Sequence, residues 1–308
     1  MASEYKTRYF NTIEEVEFFG YLRKISKDNT KLKAEYDYWY ELPDAIKHFF
    51  VQPFGFYLDG EVAYYYMEHY KIKNAAEQMV FGELSDAAFI RLMRKISDFR
   101  KVLPDEPALD SQVDDNARLL VLEKTRQRIE ELNNTAWFKS KYALALESAG
   151  ITPEILYKEL EEKFNEHYKR RTLKRIVCSH GDLVFSNILY DDRIGIMKLV
   201  DPKGRDFMFM DEYYDLAKLS QSINGNYEDI IYGEYSLNLD SKKLFIKRPE
   251  NQTHRAEFKQ YLMQQNVDLK LLRTYEASLF LSMLPLHIDD LERVAALLVN
   301  CNKILKSI

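Results

Sequence analysis

Apolar residues in the first seventy positions alternate or fall in short blocks, whereas from about residue 71 they recur every three or four positions over long stretches. The first part therefore reads as strands at 7–11, 16–26, 55–58 and 62–67, the last two separated by the turn signal Asp59-Gly60. One stretch there has helical spacing instead: over 31–42, Leu32, Tyr36, Trp39 and Tyr40 share a side, and Pro43 ends the run. The later part reads as helices. Ser85-Asp86 caps one that runs to about Val102, and a long periodic segment covers 114–139. Thr152 caps another, with Pro153 in its first turn, running to Arg171. Asp211 is a candidate cap for 211–222, and three more helical patterns span 251–265, 268–284 and 288–306. The Tyr-rich segment 224–247 fits neither period and reads as an insertion over a substrate site. The sum is an α+β chain, with a small β-rich part over 1–70 and a larger, mainly helical part over 71–308.

One stretch of the helical part breaks its own pattern. The apolar run 175–178 ends in the polar loop Ser-His-Gly-Asp, and two further apolar runs follow, separated by Asp191, Asp192 and Arg193. Those are the marks of a strand, a loop and a small hairpin with a second acidic loop after it. Asp182 precedes Asn187 by five positions, and Asp201 closes the second hairpin strand. Protein kinases use that spacing: the Asp accepts the proton of the substrate hydroxyl, the Asn binds a metal ion, and a carboxylate on a separate element holds the magnesium bridging the phosphates. Gly181 and Gly204 suit sharp turns beside these residues. His180 reads as packing beneath the loop, and Asp191 and Asp192 as turn formers rather than a metal pair. Ser186 carries no assigned role, and Lys203 reads as a solvated loop lysine, the alternative being a charge that neutralises the transferring phosphate or contacts an anionic substrate.

Composition narrows the partners. A net charge of −5 over 308 residues, without a Lys/Arg-rich block, leaves no electrostatic footprint for a nucleic-acid polymer. The basic group Lys169, Arg170, Arg171, Lys174 and Arg175 reads as a solvated helix end. A small-molecule partner is expected. Cys178 and Cys301 have neither disulfide nor metal-ligand spacing, the first twenty residues lack a signal-peptide core, and no apolar run is long enough for a membrane span, so a cytoplasmic protein is expected. Oligomeric state is left open.

The wording HGDLVFSNIL, then LVDPKG, then YYDLAKL resembles the aminoglycoside phosphotransferase and choline kinase-like family, and within it a bacterial subgroup associated with capsular polysaccharide biosynthesis. The resemblance implies a two-lobed protein-kinase-like fold that uses ATP and Mg²⁺ to phosphorylate a hydroxyl of a small molecule. Asp182 is then the catalytic base, with Asn187 and Asp201 as metal ligands. By position Lys24 is the phosphate-holding lysine, with Arg23 as rival, and Glu35 its helix partner. Glu68, His69 and Tyr70 form the hinge against adenine, and Asp215 braces the catalytic loop by accepting backbone hydrogen bonds. A glycine-rich phosphate loop is missing, so a non-glycine hairpin near 11–15 or an abbreviated lobe is expected. The subgroup points to a sugar or glycoconjugate precursor as acceptor. Glu212, Tyr213, Tyr214 and Asp289 are candidates for recognising a cationic acceptor such as choline or an aminosugar. A kinase-shaped binding module without turnover is the alternative from another class.

Overall fold

The computed structural model describes residues 11–16 and 20–308. Its small lobe is a four-stranded antiparallel sheet with one helix. The strands are β1 (Asn11–Val16), β2 (Tyr21–Ser26), β3 (Pro53–Asp59) and β4 (Val62–Glu68), in the spatial order β1-β2-β4-β3. Helix α1 (Asn29–Glu41) lies between β2 and β3 in the chain, so the element order strand, strand, helix, strand, strand is as read from the pattern. The expected strand at 7–11 lies, except for Asn11, outside the described residues. Of the expected strand 16–26, Val16 ends β1 and Tyr21–Ser26 is β2, while residues 17–19 lie outside the described residues.

Period-two alternation decides which side chains of this sheet turn inward. Along β2, Leu22, Lys24 and Ser26 are buried, and along β4, Ala63, Tyr65 and Met67 are. The register sets Leu22 opposite Met67, Lys24 opposite Tyr65 and Ser26 opposite Ala63. Leu22, Ala63, Tyr65 and Met67 form a small core with Leu32 of α1 and Val51. Asp28 caps α1 by accepting from the backbone N–H of Lys31 at 3.0 Å. The buried side of α1 is Leu32, Glu35 and Tyr38, at intervals of three, rather than the Trp39 and Tyr40 side that aromatic content suggested.

The large lobe packs its helices around one extensive core. The helices Tyr213–Ile223 and Leu269–Ser282 are buried along almost their whole length, and Leu291–Leu305 covers the second of them. The long segment predicted at 114–139 is not continuous: α-helix gives way to a π turn at Leu119–Glu123 and resumes over Lys124–Asn133. Segment 224–247 folds into a short helix, Tyr227–Tyr232, and a hairpin of Tyr235–Asn238 with Lys243–Ile246. Its short helix and hairpin both pack on the helix Leu291–Leu305. Arg171 departs from the solvated-end reading: it is buried in an ion pair with Asp211. Cys178 and Cys301 are free and buried, and among the described residues no helix is long and apolar enough to cross a membrane.

The lobes are joined by more than the chain crossing at residue 69. Val51 N–H donates to the Leu199 carbonyl at 3.0 Å, and Leu199 N–H to that of Phe49 at 2.7 Å. Tyr38 of α1 donates its hydroxyl to the Ser179 carbonyl at 2.7 Å. The loop after Asp201 also runs against α1. At Gly204, where φ is +109°, a Cβ would lie 3.2 Å from that of Ala34, so glycine allows this approach.

Candidate active site

Three sets of backbone contacts assemble the polar loop. The strand Ile176–Cys178 delivers the chain to Ser179, whose N–H donates to the Met208 carbonyl at 2.6 Å. Asp215, in the first turn of the helix Tyr213–Ile223, accepts the N–H of His180 at 2.8 Å and of Gly181 at 2.9 Å, the bracing arrangement expected of it. Lys203 N–H closes the third side on the His180 carbonyl at 2.9 Å. At Gly181 φ is +77° and a Cβ would meet that of Lys203 at 2.7 Å, which leaves glycine as the residue that fits.

His180 is structural in this arrangement. Its Nε2 lies 2.9 Å from the Val200 carbonyl, which can only accept, and its Nδ1 accepts the N–H of Asp182 at 3.2 Å. That pattern requires the neutral ring with the proton on Nε2. Burial lowers the pKa of His180 and favours the same form. The ring stacks on Phe50 of the small lobe at 5.8 Å.

The hairpin of Ile188–Asp191 with Ile196–Leu199 brings the remaining residues together. Ile188 pairs with Leu199, and Val200 N–H donates to the Asn187 carbonyl at 3.1 Å, so Asn187 and Asp201 flank the same open end. The Asn187 amide donates Nδ2 to the Asp182 carbonyl at 2.9 Å, which turns its Oδ1 away as a hard oxygen ligand. Asp201 has φ of +57°, an uncommon conformation for a non-glycine residue that often marks a functional position. Its Oδ1 accepts from Lys24 at 2.8 Å, and Oδ2 is the second oxygen it offers. One amide and one carboxylate oxygen at a single corner suit Mg²⁺, which shares its shell with water and phosphate. Among the described residues no group of three or more His, Cys, Asp or Glu forms a closed metal cage.

Across the cleft, Lys24 is 2% exposed and held between two carboxylates: Glu35 Oε1 at 2.6 Å and Asp201 Oδ1 at 2.8 Å. Burial alone would lower its pKa, but the two carboxylates outweigh this and raise it, keeping the ammonium charged. Tyr65, missed in the sequence, donates its hydroxyl to Glu35 Oε1 at 2.5 Å. Arg23 is not a rival to Lys24, because the alternation of β2 turns it outward to pair with Glu14 of β1.

The other expected positions separate. Glu68 ends β4, His69 N–H donates to the Gly20 carbonyl at 3.0 Å, and the Tyr70 hydroxyl donates to Glu68 at 2.8 Å, so this short run closes the sheet. Residues 11–15 are the first strand of an antiparallel hairpin with β2, Val16 standing opposite Tyr21, and the tip of that hairpin over 17–19 lies outside the described residues. Glu212 is buried beside Arg175, Tyr213 packs on Arg171, and Asp289 pairs with Arg293, so none of these three belongs to the loop of Asp182. Asp191 accepts the N–H of Arg193, and Asp192 takes both donors of Arg91, as turn and surface residues.

Three lysines are the unexpected part. Lys218 Nζ pairs with Asp182 Oδ1 at 2.9 Å. Lys203 is half-buried with Nζ 4.1 Å from the Phe207 ring centre and 5.2 Å from that of Tyr214, where a solvated lysine was expected. Lys124 donates to the Tyr214 hydroxyl. Lys218 was accessible to helical spacing, since it follows Asp215 by three positions in YYDLAKL. Lys124 lies in the unremarkable run Lys-Thr-Arg-Gln-Arg, where nothing distinguishes it.

No family model and no curated protein matches the chain. Solved structures do. A thermostable mutant of aminoglycoside phosphotransferase APH(4)-Ia in its apo form superposes with a TM-score of 0.53 at 13% identity, covering 96% of this chain and 89% of that one. Another mutant of the same protein, in ternary complex with ADP and hygromycin B, gives 0.57 at 12% identity, covering 100% and 93%. A choline kinase from Cryptosporidium parvum Iowa II reaches 0.42 at 14% identity over 100% and 87%, too distant to carry an argument. Likeness at such identities speaks to architecture. The chain has the two-lobed protein-kinase-like fold, in a form similar to that of aminoglycoside phosphotransferase APH(4)-Ia.

Proposed function

We propose that the protein is a cytoplasmic, ATP- and Mg²⁺-dependent phosphotransferase acting on a hydroxyl of a small molecule, with a sugar or cell-surface glycoconjugate precursor as acceptor. Residues 1–70 are the nucleotide-binding lobe in this reading, and 71–308 the catalytic and substrate lobe. The observation that carries it is the buried Lys24, charged and fixed between Glu35 of α1 and Asp201 of the opposite lobe. A lysine held this way is suited to the α- and β-phosphates, as in kinases generally. The neighbouring proteins solved with ADP and hygromycin B support the same assignment by fold analogy.

Lys24 holds the phosphates, and the backbone around Glu68, His69 and Tyr70 meets the adenine. Asn187 and Asp201 would hold Mg²⁺, which would supply charge neutralisation for the phosphates. Asp182 orients the acceptor hydroxyl and takes its proton as the oxygen attacks the γ-phosphorus. The bond from that phosphorus to the β,γ-bridging oxygen breaks, and ADP leaves with the electron pair. Positioning and electrostatics supply most of the rate.

The test is thermal melting with ATP, with and without Mg²⁺, on the wild type and Asp201→Ala. Binding to the native state must raise the midpoint, by an amount equivalent to about 2.7 kcal/mol at a hundredfold excess over Kd. A magnesium-dependent rise lost in the variant is expected. No rise at saturating nucleotide refutes the kinase and leaves a nucleotide-free binding module.

A further inference from the structure

We infer that the acceptor carries an anionic group, a phosphate or a carboxylate, which Lys124 and Lys203 bind beside Asp182. This inference rests on the phosphotransferase reading and adds the charge class of its second substrate. The lysines come from three separate elements, the helix Lys124–Asn133, the loop after Asp201 and the helix Tyr213–Ile223. They converge on one place. Lys218 is already committed to Asp182. Lys203 reaches over Gly181, its stem filling the space a Cβ would occupy. Lys124 and Lys203 both touch Tyr214, the first through the hydroxyl and the second through the ring face.

Such a grouping opposes its own charge. Burial comes first, and the charges of Lys203, Lys218 and Arg128 add to it in lowering the pKa of Lys124, with Asp182 the counter-charge acting against them. A bound anion would relieve the repulsion among these side chains. A cationic acceptor would aggravate it, so the aminoglycoside and choline alternatives are disfavoured on electrostatic grounds. Placed next to Asp182, the anion would leave a hydroxyl of the same small molecule to meet the carboxylate.

The experiment uses the full chain saturated with AMP-PNP and Mg²⁺, followed by thermal melting at constant ionic strength. Glycerol 3-phosphate, glucose 6-phosphate and glucuronate are the anionic probes, with glucose and choline as neutral and cationic counterparts. At least one anionic probe should raise the midpoint further while glucose and choline do not. Lys124→Met and Lys203→Met should each weaken that probe at least tenfold yet keep the AMP-PNP shift. Each should also melt no lower than wild type without ligand, which confirms that the variants fold. No added rise with any anion, an equal rise with choline, or an undiminished rise in both variants overturns the inference. So does loss of the AMP-PNP shift in the variants, which would assign the lysines to the nucleotide. A wild type that ignores AMP-PNP but binds an anion through both lysines supports the anion site and refutes the kinase reading instead.

Discussion

Replacing Glu35 tests the link between the lobes most directly. In Glu35→Ala, Lys24 stays buried and loses the carboxylate at 2.6 Å, keeping only Asp201 at 2.8 Å, whose side chain is 39% exposed. The Tyr65 hydroxyl loses its acceptor at the same time. Breaking a buried ion pair from one side costs about 3–5 kcal/mol, and an unsatisfied buried hydroxyl about 1–3 kcal/mol. Asp201 offsets part of the first, so a net loss of about 3 kcal/mol is expected, or roughly 6 °C or more in melting midpoint at about 2–4 °C per kcal/mol. Glu35→Gln keeps an oxygen for Tyr65 and should lose less. Nucleotide binding should suffer beyond stability, because the freed ammonium draws Asp201 from the magnesium corner. Titration with AMP-PNP and Mg²⁺ should show at least tenfold weaker binding in both variants. A midpoint within about 1 °C of wild type, together with unchanged nucleotide affinity, would refute the reasoning that Lys24 depends on Glu35 for its position.

Two more outcomes follow from the loop and its support. Asp215→Ala leaves the N–H groups of His180 and Gly181 without their acceptor, at about 1–3 kcal/mol each, and steady-state kinetics with ATP should show turnover falling far more than apparent ATP affinity. Equal loss in both parameters would count against a positioning role. Glu228 accepts the Ser222 hydroxyl at 2.6 Å, Ser222 accepts the N–H of Phe185, and burial raises the carboxyl to about 7 from an ordinary 4.5. The folded protein therefore holds a proton that the unfolded chain releases from about pH 4.5, so stability falls as pH rises to about 7 and then levels. Glu228→Gln removes that fall: its melting midpoint should exceed wild type at pH 8, by an amount approaching about 3 kcal/mol, and converge with it near pH 4.5. A constant difference across that range would assign the effect to packing.

Legibility followed the range of the interactions involved. The spacing of Asp182, Asn187 and Asp201 is local, and one hairpin with a tight register brings the three to a shared corner. Lys24 and Arg23 differ by one position, and period-two alternation alone separates inward from outward. Glu35 followed from the element order. Tyr65 was invisible because its role depends on the β2–β4 register, which the sequence does not state. The choices of Glu212 and Tyr213 failed for another reason. The helix Tyr213–Ile223 is buried on every side, so residue type gives no face to choose from. Lys124 sits just after a π turn, which shifts the angular position of every later side chain on that helix against the periodicity used to read it.

The contacts of α1 bear on control. Many kinase-shaped proteins are governed by swinging the helix that carries the glutamate, which makes or breaks the pair with lysine. Here that helix is moored: Tyr38 is bonded to Ser179 at the start of the loop of Asp182, and Ala34 lies against Gly204 in the loop after Asp201. Swinging α1 outward would break a buried hydrogen bond and open the packing beneath Asp182 together. The position of the helix that carries Glu35 is thereby tied to the two loops that carry Asp182 and Asp201, so a substitution at Tyr38 or Ala34 should be felt in both.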